Sequence, residues 1–199
     1  MPTPEDVLSF WFGPIAEDGS CSPAFVKRWW AKDEGFDREV TQRFGAVIAA
    51  AEAGRLASWR DTPRGLLALV ILCDQMTRNS RRGSGAMYDA DPLAQDLLRL
   101  AIQRGDPEQL RTMERYFLYM PLMHAESREL QQQGVERFDQ LAATAEPGAR
   151  DAAAAAADYM RRHEAIVARF GRFPHRNELL GRTSTDEERE FLKQPGSSF

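Results

Sequence analysis

The sequence is short of the residues from which many functional sites are built. It has two cysteines, Cys21 and Cys73, and three histidines in 199 residues. Two cysteines set no disulfide framework. Cys73 ends the apolar run Leu69-Val70-Ile71-Leu72 and reads as a small buried hydrophobe, while nothing around Cys21 marks it as a nucleophile. There is no His-Glu-x-x-His, no pair of histidines four apart and no cysteine pair, so neither a metal nor another cofactor is expected. Glycine-rich nucleotide loops and the Gly-x-Ser-x-Gly elbow are also missing.

Long apolar runs and an excess of positive charge are lacking too. The longest run, Leu66 to Cys73, falls far below the roughly 20 residues that span a bilayer, so no membrane partner is expected. A formal net charge of -4 gives no basic face for a polyanion, and nucleic acid is not an expected partner. The opening Met1-Pro2-Thr3-Pro4-Glu5-Asp6 has no basic stretch leading into an apolar one. No signal peptide is therefore visible, and the expected location is the cytoplasm.

What is present is a helical grammar. Proline follows a capping residue at Thr3-Pro4, Ser22-Pro23, Thr62-Pro63, Asp91-Pro92 and Asp106-Pro107. Proline at the first helical position gives up only an N–H that would be unpaired anyway, so each pair marks a helix start. Phe36, Val40, Phe44, Val47 and Ile48 recur at three- and four-residue spacing and share one helix face. The helix opening at Pro63 is apolar on nearly all sides and reads as central, ending near Asn79. Residues 92–103 and 107–120 are expected to fold back on each other across Gly105-Asp106, and Pro121 is expected to interrupt or kink the next stretch. Thr185 with Glu188 gives a capping box for a last helix. No segment alternates long enough to demand a strand. The expectation is one all-α domain over residues 1–199, large enough to bury roughly two thirds of its unfolded surface.

Three polar groups stand where the apolar pattern does not need them. In the first, Asp74, Gln75, Arg78, Asn79 and Arg82 end the central helix, with Asp74 and Arg78 on one side and Gln75 and Asn79 on one side. Asp74 follows the most apolar run and is expected to be half enclosed, which demands a partner. Either an Asp74–Arg78 pair seals the helix end, or these side chains line a pocket in which Arg78 holds an anion in its planar donor fork. The second group, Phe173, His175, Arg176, Asn177 and Arg182, sits in a loop between helices and is read either as a loop clamp or as a ligand contact. The third, Tyr116, Tyr119, His124 and Glu126, surrounds Pro121. His163, within Arg161-Arg162-His163-Glu164, is expected on a solvated face, and Trp11, Trp29, Trp30 and Trp59 are expected mainly in the core.

The function these groups suggest is binding of a small anionic molecule or peptide through an Arg/Asp/His/Asn pocket. A catalytic version makes His175 the acid or base, Asp74 its orienting carboxylate, and His124 a further candidate, as in a hydrolase. A surface for a protein partner is the competing class. The ligand contacts expected are Gln75, Arg78, Asn79, Arg82, Arg176, Asn177 and Arg182.

Several stretches resemble a known family. Val7-Leu8-Ser9-Phe10-Trp11-Phe12-Gly13, the segment from Leu69 through Asp74-Gln75 to Arg78-Asn79, and Phe117-Leu118-Tyr119-Met120-Pro121-Leu122-Met123-His124 carry the likeness. So do Arg169 to Asn177, Leu180-Gly181-Arg182, Ser184-Thr185, Phe191-Leu192 and Pro195 to Phe199. Together they resemble an uncharacterised bacterial family, domain of unknown function 924. The resemblance implies tetratricopeptide-like helical hairpins packed in a compact superhelical array, and it implies no activity. The family's Asp-Gln-Phe-Pro-Arg-Asn stands here as Asp74-Gln75-Met76-Thr77-Arg78-Asn79, which keeps the polar positions and relaxes the local helix geometry.

Overall fold

The computed structural model describes residues 1–198. Helix starts follow from local capping chemistry. Thr3 Oγ1 accepts the Asp6 N–H while the Asp6 carboxylate accepts the Thr3 N–H at 2.8 Å, closing a reciprocal box on α1 (Pro4–Phe12). Helix α2 spans Pro23–Trp30, and α3 (Glu34–Glu52) starts on Asp33, whose carboxylate accepts from Gly35 and Phe36 N–H. Thr62 caps α4 (Pro63–Val70) in the same way. Gly65 is required there, because a Cβ would collide with the Trp59 carbonyl oxygen.

The central helix does not continue as a plain α-helix. A π-helical turn, Ile71–Met76, follows α4 and leads directly into α5 (Thr77–Ser80), and all six residues of the turn are buried. Such wide turns recur at functional sites, because the extra residue per turn re-aims side chains. Here the turn carries Asp74 and Gln75. The remaining helices are α6 (Asp91–Arg104), α7 (Thr112–His124), α8 (Arg128–Ala143), α9 (Arg150–Phe170) and α10 (Asp186–Leu192). Among the described residues the β content is one isolated antiparallel bridge, Ile15 with Cys21. The chain is an all-α domain.

Two expectations are corrected around α7. Asp106-Pro107 opens a single 3-10 turn, Asp106–Gln109, and the helix itself starts at Thr112, with the Arg111 N–H held by Glu114 at 3.0 Å. Of the two outcomes expected at Pro121, interruption is excluded, because α7 runs through it to His124. Gln131 explains how the helix ends so near a proline: its Nε2 donates to the carbonyls of Leu122, Met123 and Ala125 at 3.1, 2.9 and 2.8 Å. A fully buried amide thus satisfies the carbonyls that the helix end leaves open.

Phe117 on α7 is the hub of the core, edge-on to Trp11, Phe12 and Trp29. Trp11 and Trp29 are buried as expected, whereas Trp30 is 53% exposed and covers the core from outside, against the rings of Trp29, Tyr116 and Phe117. Helix α8 packs on both α7 and α9. Gly134 permits this, since a Cβ would meet the Met160 sulfur at 2.6 Å. His163 is corrected from a solvated face to the interior, 5% exposed, because three- and four-residue spacing puts it with Met160 and Val167 on the packed face of α9.

Candidate functional site

The π-helical turn delivers Asp74 into the protein with no exposed surface at all, rather than half enclosed. Its carboxylate meets His124 Nδ1 at 2.8 and 3.0 Å and accepts from Gln75 Nε2 at 2.5 Å. Arg78 Nη1 lies 3.3 Å away and also donates to the Asp74 backbone carbonyl. The expected Asp74–Arg78 pair is therefore present, and the imidazole against Asp74 is that of His124.

Arg78 reaches onward to Asp91, with Nη1 and Nη2 at 2.9 and 3.0 Å from its two oxygens. Asp91 does not cap α6 with its side chain, as its Asp-Pro sequence suggested, and its carboxylate turns to the arginines instead. Arg176, in the 3-10 turn Pro174–Arg176, is 3.6 Å from the same carboxylate. Its guanidinium lies 4.5 Å from the Tyr88 ring centre and 4.6 Å from that of Phe173. A continuous chain thus runs from His124 through Asp74, Arg78 and Asp91 to Arg176, built from four separate segments.

The remaining candidates are held elsewhere. Asn79 and Arg82 both bind Asp37, at 2.8 Å and at 2.6 and 3.0 Å, tying α5 to α3. Arg182 grips Glu126 at 2.5 and 2.9 Å and Asn177 Oδ1 at 3.0 Å. Asn177 in turn donates to Ser184 and Glu188, and Arg172 pairs with Glu188 at 2.7 Å. These contacts form the loop clamp that fixes residues 173–188. His175 sits against Phe173, ring centres 5.6 Å apart, within electrostatic reach of Arg176, Glu126 and His124. Asp91 and Tyr88 were not among the expected site residues. Their partners are distant in sequence, and the Asp-Pro pair reads locally as a helix start.

Burial and charge set the protonation states. Burial alone would push the Asp74 carboxyl up, but Arg78 and His124 outweigh it and hold Asp74 well below the usual carboxylate range. Burial and then the Arg78 charge push His124 below its ordinary value despite Asp74. Asp74 is thus ionised and can only accept, so neutral His124 carries its proton on Nδ1 and presents a lone pair at Nε2. Among the described residues nothing hydrogen-bonds to Nε2, and the His124 side chain keeps 14% of its surface exposed. Burial raises Asp91, against the pull of Arg78. Burial, with Arg78 nearby, lowers Arg176. Both thiols are pushed up by burial, Cys21 to about 11 and Cys73 to about 12, which leaves them protonated and unreactive.

Among the described residues no group of three His, Cys, Asp or Glu side chains is arranged to hold a metal ion. No helix among the described residues is long and apolar enough to cross a membrane. A shallow depression of about 450 Å³ lies beside the network, lined by Glu52, Arg81, Ala86, Asp89, Ala90 and Leu93, and contains none of the network residues.

Fold and site together define an all-helical domain with a buried Arg/Asp/His/Asn network. The sequence profile of a bacterial protein family of unknown function, DUF924, matches residues 7–196, and the chain belongs to that family. It is similar to a solved structure titled as a protein of unknown function, ATU0120, from Agrobacterium tumefaciens, with 33% identity, a TM-score of 0.80 and 96% of each chain covered. Comparison with curated proteins returns no match.

Proposed function

We propose that the chain binds a small anionic molecule, or the acidic group of a peptide, through Arg176 at the edge of the Asp74–Arg78–Asp91 network. The observation that carries this reading is the state of Arg176. Its side chain is 7% exposed, its countercharge is Asp91 at 3.6 Å, already shared with Arg78, and its Nε has no hydrogen-bond partner among the described residues. A buried guanidinium with unfilled donors is costly. Its planar fork suits carboxylate or phosphate oxygens, and the rings of Tyr88 and Phe173 hold its plane.

Proton transfer at such a site falls to His124 oriented by Asp74, with His175 beside them. The reading takes as its scaffold the tetratricopeptide-like array implied by the family resemblance, supported by the packing of α7 on α8 and α8 on α9.

Sulfate titrated at constant ionic strength is the test, with thermal unfolding as the readout. Sulfate stabilises most proteins by exclusion from their surface, so the comparison is with Arg176→Gln and Arg176→Lys. The wild type should gain an extra ~2.7 kcal/mol at a hundredfold excess over Kd. Both variants should lose that excess, the Lys variant included because it lacks the fork. Equal stabilisation of all three proteins would contradict the reading.

A further inference from the structure

The charges of the network cancel. Arg78 and Arg176 face Asp74 and Asp91 through contacts of 3.3 and 3.6 Å respectively, and a neutral His124 adds nothing. An anion seated on Arg176 therefore brings a net negative charge into a water-poor site, where an uncompensated charge is expensive. A proton compensates it most directly. We propose that the site takes its anion together with a proton, received at Nε2 of His124, so that its true ligand is an oxyanion plus H⁺. This deepens the anion-binding reading and rests on it.

The surroundings of His124 single it out as the acceptor. The central helix turns Asp74 and Arg78 toward it, α6 contributes Asp91, α9 contributes His163, and the turn at 174–176 contributes His175. His163 and His175 both also feel Arg176, which the Glu126 carboxylate partly offsets at His175, whereas among the described residues it is His124 whose ring has a carboxylate, Asp74, in hydrogen-bond contact. His163 is further committed through Nδ1 to the Tyr159 carbonyl at 2.7 Å. A proton on Asp91 would remove the carboxylate that Arg78 and Arg176 share. On His124 an imidazolium stands 2.8 Å from a carboxylate that has no exposed surface, and an anion beside Arg78 and Arg176 offsets the Arg78 charge that otherwise opposes it. Its Nε2 carries no competing hydrogen bond from a described residue.

The consequence is specificity by charge state. The site favours an oxyanion under mildly acidic conditions and releases it as pH rises. With one proton coupled to each anion, affinity weakens about tenfold per pH unit above the pKa of unliganded His124 until the liganded pKa is exceeded.

Calorimetric titration with sulfate near neutral pH, repeated in two buffers of different ionisation heat, counts the protons. Sulfate does not titrate in this range, so any proton taken up resides on the protein. The wild type should take up about one proton per sulfate bound. His124→Gln and His124→Asn should bind without uptake and lose the pH dependence, an effect that a merely structural role for His124 would not produce. Binding by the wild type with no uptake, or uptake unchanged in both His124 variants, overturns proton coupling while leaving the anion site standing. No sulfate binding by the wild type, or equal binding by Arg176→Gln, overturns the anion site itself.

Discussion

Asp74→Ala should cost about 3–5 kcal/mol, the range found when one partner of a buried ion pair is removed. Three donors lose their acceptor at once, His124 Nδ1, Gln75 Nε2 and the Arg78 guanidinium, around a carboxylate that has no exposed surface. Arg78 keeps Asp91, so the loss is a broken network and not a stranded arginine. Urea denaturation measures it directly, as a lower midpoint with an unchanged slope. For a chain of this length the same loss lowers Tm by roughly 10 °C. Asp74→Asn should fall between the wild type and Ala, since its amide oxygen still accepts a hydrogen bond. The double variant Asp74→Asn/His124→Gln should be less damaging than the sum of its parts, because the two groups touch. A cost below about 1 kcal/mol for Asp74→Ala, the level of an exposed pair, would show that the pocket around it is wet.

A second large effect is acid sensitivity that begins well above the carboxylate range. Burial pushes His163 down to about 3 and His175 down to about 4. Both are neutral in the folded protein across the whole window from pH 6.5 down to those values. In the unfolded chain each takes up a proton as pH falls through about 6.5. The unfolded state therefore binds more protons, and folding stability falls as pH falls. Stability from these groups is fully present above about 6.5 and is lost progressively toward about 4 and then 3. Two protons correspond to a slope of about 2.7 kcal/mol per pH unit in the steepest part, between roughly pH 6 and 4. Paired carboxylates act later: Glu188, held down to about 2 chiefly by Arg172, contributes stability that is fully present above its ordinary value of 4.5 and is lost as pH falls from there toward about 2. Unfolding free energies measured by urea at several pH values should decline already between pH 6.5 and 5. A flat profile over that interval would contradict the burial of both imidazoles.

Much of the helix map follows from local chemistry and is legible in the sequence for that reason. Thr3, Thr62 and Thr185 cap helices with their side chains where the residue pattern says they should. Asp91 and Asp106 look the same in sequence, yet neither caps a helix with its side chain. Asp91 is drawn away by two arginines that only the tertiary fold brings near it. The π-helical turn leaves no trace in an apolar run that reads equally well as α-helix. Its effect is to sink Asp74 completely and to set it against His124.

The candidate residues were visible as chemistry, and their pairings were not. Asn79, Arg82, Asn177 and Arg182 stand close in sequence to the network, but each is committed to a carboxylate or amide of another element. His163 could have been placed correctly, since Met160 and Val167 share its helix face. The charged residues around it, Arg161, Arg162 and Glu164, outweighed that periodicity.

On the proposed function, Arg176 is a buried guanidinium awaiting an oxyanion. Anomalous diffraction from crystals soaked in selenate tests it most directly, because selenium identifies the anion without ambiguity. The expected result is a selenium peak whose oxygens lie about 3 Å from Arg176 nitrogens, with Asp74, Arg78, Asp91 and His124 unmoved. An ordered water on Arg176 Nε, with selenate absent from the network, would contradict it.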